Sequence, residues 1–175
     1  LIASTDVFQQ AATEGIVLLK NKNNALPLSS GTKVAVYGNH STSFVEALKR
    51  AGYIVEENTQ NADIALITIS PEGFELVSEA QKMIQAICRT YQSAKKKVIV
   101  ILNIDGTIET SSWKNLPYGI LLAWQDGQEV SNAITDIISG KANPSGKLPI
   151  SFPTKYMDIP SSIRNTENTV YTEDI

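Results

Sequence analysis

Asp63-Ile64-Ala65-Leu66-Ile67-Thr68-Ile69 and Lys97-Val98-Ile99-Val100-Ile101-Leu102 are apolar almost from end to end. Strands hidden on both faces read this way, because neither side of such a strand meets water. Between them, Ser78 caps a predicted helix to about Ser93, with Met83, Ile84, Ile87, Cys88 and Tyr91 on one stripe. A buried strand, an amphipathic helix and a second buried strand predict a parallel crossover. The same alternation continues outward. Lys33-Val34-Ala35-Val36-Tyr37 predicts a short strand ending at Gly38. Ser41 to Arg50 predicts a helix with Phe44, Val45 and Leu48 inward and Gly52 at its C-cap. Tyr53 to Glu56 is the next strand, and Gly119 to Trp124 a further buried one. Glu129 to Ser139 is the last helix, with Val130, Ala133, Ile134, Ile137 and Ile138 inward and a stop at Gly140.

The expected fold class is α/β: a three-layer αβα sandwich around a mostly parallel sheet of five or six strands. Upstream, Ser4 or Thr5 can cap a helix running to about Lys20, with Phe8, Ala12, Gly15, Ile16 and Leu19 at helical spacing. Asn21 to Asn24 reads as a polar turn. Downstream, periodicity is lost from about Lys155. The expected organisation is a helical lead-in over 1–32, the sandwich over 33–154 and an extended tail over 155–175 that would wrap another surface. Leu1 in place of an initiator Met, with no signal-peptide pattern, reads as a chain processed or cut from something longer.

The 175 residues suffice for one domain, and 42% hydrophobic against 19% charged residues supplies a core. A net charge of −3 gives no basic patch suited to nucleic acid. The run Lys95-Lys96-Lys97 is expected to be a solvated helix end. No apolar run reaches the roughly 18 residues of a membrane span. The single cysteine, Cys88, excludes an internal disulfide and is expected to pack rather than react. One histidine and one cysteine make no metal-binding spacing, and no cofactor is expected. GxGxxG, GxxxxGK[ST] and G-x-S-x-G are all missing from the sequence. A flavodoxin-like regulatory domain is disfavoured, because no acidic cluster follows the first strand.

Open α/β sheets place their sites at the carboxyl ends of the strands. Four loops qualify: Gly38 to Ser41, Ser70 to Gly73, Asn103 to Gly106 and Gln125 to Glu129. His40 reads as a loop residue, not a catalytic base. Glu72 and Asp105 are the carboxylates at the correct edge. Retaining glycoside hydrolysis needs two carboxyl groups about 5 Å apart, but exposed loop carboxylates are ordinary, so spacing alone assigns neither a role.

Several stretches add a resemblance. Ser139-Gly140-Lys141-Ala142-Asn143-Pro144-Ser145-Gly146-Lys147-Leu148-Pro149-Ile150-Ser151-Phe152-Pro153 is similar to a run in the second domain of glycoside hydrolase family 3, the β-glucosidase type. Ala11 to Asn21 resembles that family's AAxEGxVLLKN, followed by Asn24-Ala25-Leu26-Pro27-Leu28. Lys33 to Gly38 resembles the first strand of that domain, and Ala62 to Ile67 its ADxAxxxI strand. Ile120 to Glu129, continued by Asn132-Ala133, resembles ILLAWxPGQEGGNA, and Tyr171 to Ile175 resembles YxEGI.

The resemblance implies a β-glucosidase-like enzyme with a retaining mechanism, acting on an oligo- or aryl-glycoside. It implies that a preceding barrel domain, absent from these residues, supplies the Asp nucleophile, and that this domain contributes the acid/base Glu on a loop. Glu72 is the weak acid/base candidate, and Trp124 a candidate sugar contact. It also implies a periplasmic or secreted setting for the full-length protein. The chain departs from the pattern at three places. The loops after Asn39 and after Ile69 are short, and Val130-Ser131 replaces the usual paired glycines. A fragment inactive alone is therefore expected. The alternative is a non-catalytic module that binds carbohydrate or docks a partner, in which Trp113 and Trp124 could stack a sugar, although core or interface packing is the favoured reading of each.

Overall fold

In the computed structural model the apolar runs pair side by side as parallel strands. The structure describes residues 15–38, 41–70, 77–103, 106–123, 128–143 and 156–159. The strands are β1 (Val17–Asn21), β2 (Lys33–Gly38), β3 (Ile54–Val55), β4 (Ile64–Ile69), β5 (Lys97–Asn103), β6 (Gly106–Glu109), β7 (Gly119–Ala123) and β8 (Tyr156–Ile159). The helices are α1 (Thr42–Arg50), α2 (Val77–Ser93) and α3 (Gln128–Ser139). Six strands form one sheet in the order β1-β7-β5-β4-β2-β3. The pairs β3/β2, β2/β4, β4/β5 and β5/β7 are parallel, and β1 lies antiparallel on β7. The expected mostly parallel αβα sandwich is what forms.

Every residue of β4 and of β7 is buried, as strands covered on both faces must be. One face packs Val34, Leu66, Ile101 and Leu121 against α1 and α3 through Phe44, Leu48, Ala133 and Ile137. The other packs Ala35, Ile67, Val100 and Leu122 against α2 through Ala80, Ile84, Cys88 and Tyr91, with Trp113 beside them. The sheet ends at the two-residue strand β3, where Ile54 remains half-exposed. A strand this short offers little open edge to another chain.

The turns follow from residue chemistry. Ser41 caps α1, its Oγ accepting from the Phe44 amide at 3.2 Å. Gly52, at φ +95°, ends that helix, with the Gly52 amide on the Lys49 carbonyl at 3.1 Å and the Tyr53 amide on Leu48 at 3.1 Å. Gly140, at φ +81°, follows α3 as expected. The run Lys95-Lys96-Lys97 differs from the expected solvated end. Lys96 Nζ donates to the Ala62 and Gln60 carbonyls at 2.6 and 3.1 Å, and Lys97 Nζ lies 5.4 Å from the centre of the Tyr118 ring.

Two expectations are corrected. The helix predicted to about Lys20 does not reach that far: Val17–Asn21 is β1. The open edge of β7 supplies hydrogen-bonding groups that would otherwise be buried without partners, and Val17-Leu18-Leu19 satisfies a strand there as readily as a helix. The earlier part of that helix, residues 1–14, lies outside the described residues. Likewise Tyr156–Ile159, expected in a tail reaching for another surface, is β8, antiparallel to β6 of the same chain, with Thr107 opposite Asp158.

Candidate functional site

The winding of the sheet selects a crevice. From β2 the chain passes through α1 to β3 on one side, then returns to β4, β5 and β7 on the other. α1 packs on one face and α2 on the opposite face. The connections therefore part between the carboxyl ends of β2 and β4, the position where doubly wound sheets take ligands.

Gly38 closes β2 at this point. Its φ is +87°, and a Cβ there would collide with the Thr68 carbonyl oxygen of β4. Glycine is thus required by both dihedral and space. Thr68 Oγ1 donates to the Tyr37 carbonyl at 3.1 Å, tying the same two strand ends together. Further along the edge, Ile69 pairs with Leu102 and Asn103 with Ala123, so β4, β5 and β7 end level.

The first turn of α3 meets this edge. Ser131 is buried, and its Oγ lies 3.3 Å from that of Ser41 at the start of α1. Thr135 Oγ1 donates back to the Ser131 carbonyl at 2.8 Å. Val130 is buried against the sheet. The Val130-Ser131 pair, singled out in the sequence as a departure, thus packs into this fold. Sequence reading started the helix at Ser41 but identified neither its capping role nor its neighbour, which lies 90 positions away.

The sequence-predicted residues sit on the segments leaving this edge. His40 follows β2, Glu72 follows β4, Asp105 follows β5 and Trp124 follows β7. Their strand ends come together, while all four residues lie outside the described residues. Trp113, the other stacking candidate, is buried in the α2-side core and unavailable to a sugar. Cys88 packs in that same core, where burial pushes its thiol up to about 11 while the Lys20 charge opposes the rise, so it is no thiolate nucleophile at neutral pH. Among the described residues no three His, Cys, Asp or Glu side chains gather as a metal site. No helix there is long and apolar enough to cross a membrane.

Fold and edge together define a doubly wound α/β domain whose β2/β4 crevice is the candidate site. The chain belongs to the glycosyl hydrolase family 3 C-terminal domain family, whose model matches residues 16–175. It is 28% identical to an exo-α-(1→6)-L-arabinopyranosidase of Bifidobacterium longum, over 92% of this chain and 28% of that protein. That alignment runs over 217 residues, longer than this chain, so the relative carries insertions within the domain. It is 33% identical to a probable β-glucosidase I of Aspergillus oryzae, over 71% of this chain and 14% of that protein. β-Glucosidase 3B of Thermotoga neapolitana superimposes with a TM-score of 0.75 at 29% identity, covering 89% of this chain and 32% of its own. The chain thus spans under a third of these relatives' length.

Proposed function

We propose that this chain is the second domain of a β-glucosidase-like glycoside hydrolase, completing the active site of a barrel domain and turning over no substrate alone. The observation that carries the reading is the family match across residues 16–175, supported by the likeness to the Thermotoga neapolitana sandwich. The barrel would supply the nucleophile. Glu72 would protonate the leaving oxygen, and Trp124 would contact the sugar. A lone acid/base group contributes roughly 10² to 10⁴-fold, and only when set against a bond that a second group attacks. The relatives' names include an arabinopyranosidase and β-glucosidases, so the sugar follows from pocket detail rather than from the family. The non-catalytic module is not favoured, since these relatives are glycosidases. An exported setting, periplasmic or secreted, accompanies the proposal and is checked by fractionating the source cells.

The test is direct. Purified chain is incubated with an aryl β-glucoside, and release of the aglycone is followed against a chain-free blank. No chain-dependent release is expected. Robust release that scales with chain concentration would overturn the reading.

A further inference from the structure

The α1/α3 layer carries a cavity that the β2/β4 crevice does not include. It holds about 590 Å³, within the roughly 300–1,000 Å³ usual for ligand sites. Two alanines open it. Ala47 and the C-cap residue Ala51 lie one turn apart on α1, so that face of the helix sets no bulk against α3. Asn132, Asp136 and Ser139 line it from α3 at i, i+4 and i+7, one stripe of that helix. Arg50 spans the two helices, its guanidinium donating to Asn132 Oδ1 at 2.9 Å. Lys141, just past Gly140, joins the lining. Arg50 and Ser139 are about 12–14 Å along their helices from the Ser41–Ser131 contact, so the cavity stands away from the crevice.

The lining is polar without being an ion trap. Arg50 and Lys141 bring positive charge, and Asp136 brings a carboxylate that an entering anion would have to face. Glu46, one turn before Arg50 on α1, adds a second carboxylate nearby. Cations beside helix carbonyl ends are ordinary dipole partners, but that role does not call for an amide and a carboxylate on the facing stripe. Donors and acceptors are both on offer. Arg50 carries more N–H donors than its bond to Asn132 uses, and the Asn132 side-chain amide is a further donor. Ser139 Oγ donates to the Asp136 backbone carbonyl at 3.2 Å and keeps its lone pairs for accepting. Thr135, also in the lining, is committed to the Ser131 carbonyl. Ligand hydroxyls, which donate and accept at once, suit such a mixed lining. A carboxylate or sulfate group, which only accepts, does not.

We propose that this cavity is an accessory saccharide site, taking a short neutral oligosaccharide through hydroxyl contacts to Arg50, Asn132 and Asp136. Arg50 is exposed and Asn132, Asp136 and Ser139 are half-buried, so the site opens to solvent. Among the described residues no aromatic ring lines it. It therefore binds by hydrogen bonds without stacking, and a Kd of about millimolar order is expected. The chemistry of the lining carries this inference independently of the reading given to the crevice.

The experiment titrates the isotope-labelled chain with cellotetraose, glucose and sodium sulfate at fixed ionic strength. Arg50 and Asn132 side-chain resonances and the Ser139 and Gly38 amides are followed by NMR. Saturable shifts at Arg50, Asn132 and Ser139 are expected with cellotetraose, at lower concentration than with glucose. Arg50→Lys keeps the charge and loses the planar fork, and Asn132→Ala removes the amide from a helix position that alanine favours. Each should weaken cellotetraose binding about tenfold, the loss of one well-placed contact. Ala51→Leu removes no polar group but fills part of the cavity, and should weaken binding too. An unchanged urea midpoint shows that each variant keeps the fold. Saturation by sulfate in preference to cellotetraose would overturn the proposal, as would cellotetraose shifts confined to Gly38. So would shifts that rise linearly without saturating, or that persist unchanged in the Arg50→Ala, Asn132→Ala double variant. Binding is read here without turnover, so this result and the aglycone assay stand or fall separately.

Discussion

Gly38 and Lys95 both adopt left-handed backbone, with opposite consequences for substitution. Gly38 closes β2 at φ +87° with no room for a Cβ beside the Thr68 carbonyl. Gly38→Ala adds left-handed strain to a backbone collision and is expected to cost about 3 kcal/mol, read from urea unfolding. Lys95, at φ +59°, follows α2 in the position glycine usually fills. Its amide donates to the Gln92 carbonyl at 2.9 Å, and the Lys96 amide to Tyr91 at 2.7 Å. Lys95→Gly keeps both bonds and removes the strain, so a gain of about 1 kcal/mol is expected, a rise of roughly 2–4 °C in Tm at this chain length. Cys88 gives a pH signature. Its folded pKa is raised, so its contribution is complete below the unfolded value and is lost as pH rises from about 9 through about 11. Burial also raises Tyr53 and Tyr91, so the Cys88 part is isolated by difference. Stability of the Cys88→Ala variant should fall less steeply than that of the parent across this window. Equal slopes would show that the thiol does not contribute.

At the scale of elements, burial decided what could be read from sequence. β4, β5 and β7 are hidden on both faces, so their apolar runs announced them. The helices carried one apolar stripe each, and Gly52 and Gly140 marked two of their ends. β1 escaped because its identity lies in its neighbour: Leu18 sits opposite Leu121 and Asn21 opposite Gly119, with a register shift between Leu18 and Lys20. A short apolar run fits a strand or a helix until its partner edge is known. β6 and β8 escaped for the same reason, since 46 residues separate Glu109 from its partner Tyr156 in sequence. The candidate site was legible only as loops at the correct edge, and the contacts that brace it, Ser41 with Ser131 and Gly38 with Thr68, join distant segments. By type Trp113 is weighed as a sugar-stacking aromatic against a core residue, and the favoured core reading holds. The turn over 110–118 delivers it to the α2-side core, with the Trp113 amide on the Thr110 carbonyl at 3.1 Å. Trp113→Ala is therefore expected to cost about 3–5 kcal/mol of stability in chemical unfolding. A cost below 1 kcal/mol would place the side chain at the surface instead.

For the whole molecule, one sheet serves two cores. β2, β4, β5 and β7 each send alternate residues to the α1/α3 side and to the α2 side: Leu66 and Ile101 to the first, Ile67 and Val100 to the second. Loosening either layer strips water-excluding cover from strands that the other layer also needs. The two cores are thus expected to unfold together, which is two-state behaviour at this size. Leu48 and Trp113 provide the test, because they are fully buried on opposite faces. In a Trp124→Phe background, Trp113 is the remaining tryptophan and its fluorescence reports the α2 side. Leu48→Ala removes packing on the α1 side and is expected to cost about 2–5 kcal/mol. If the sheet couples the layers, the urea midpoint of Trp113 fluorescence falls by as much as that of far-UV circular dichroism. If the fluorescence midpoint stays fixed while the dichroism splits into two transitions, each layer holds its own part of the sheet and the sandwich is two cooperative units.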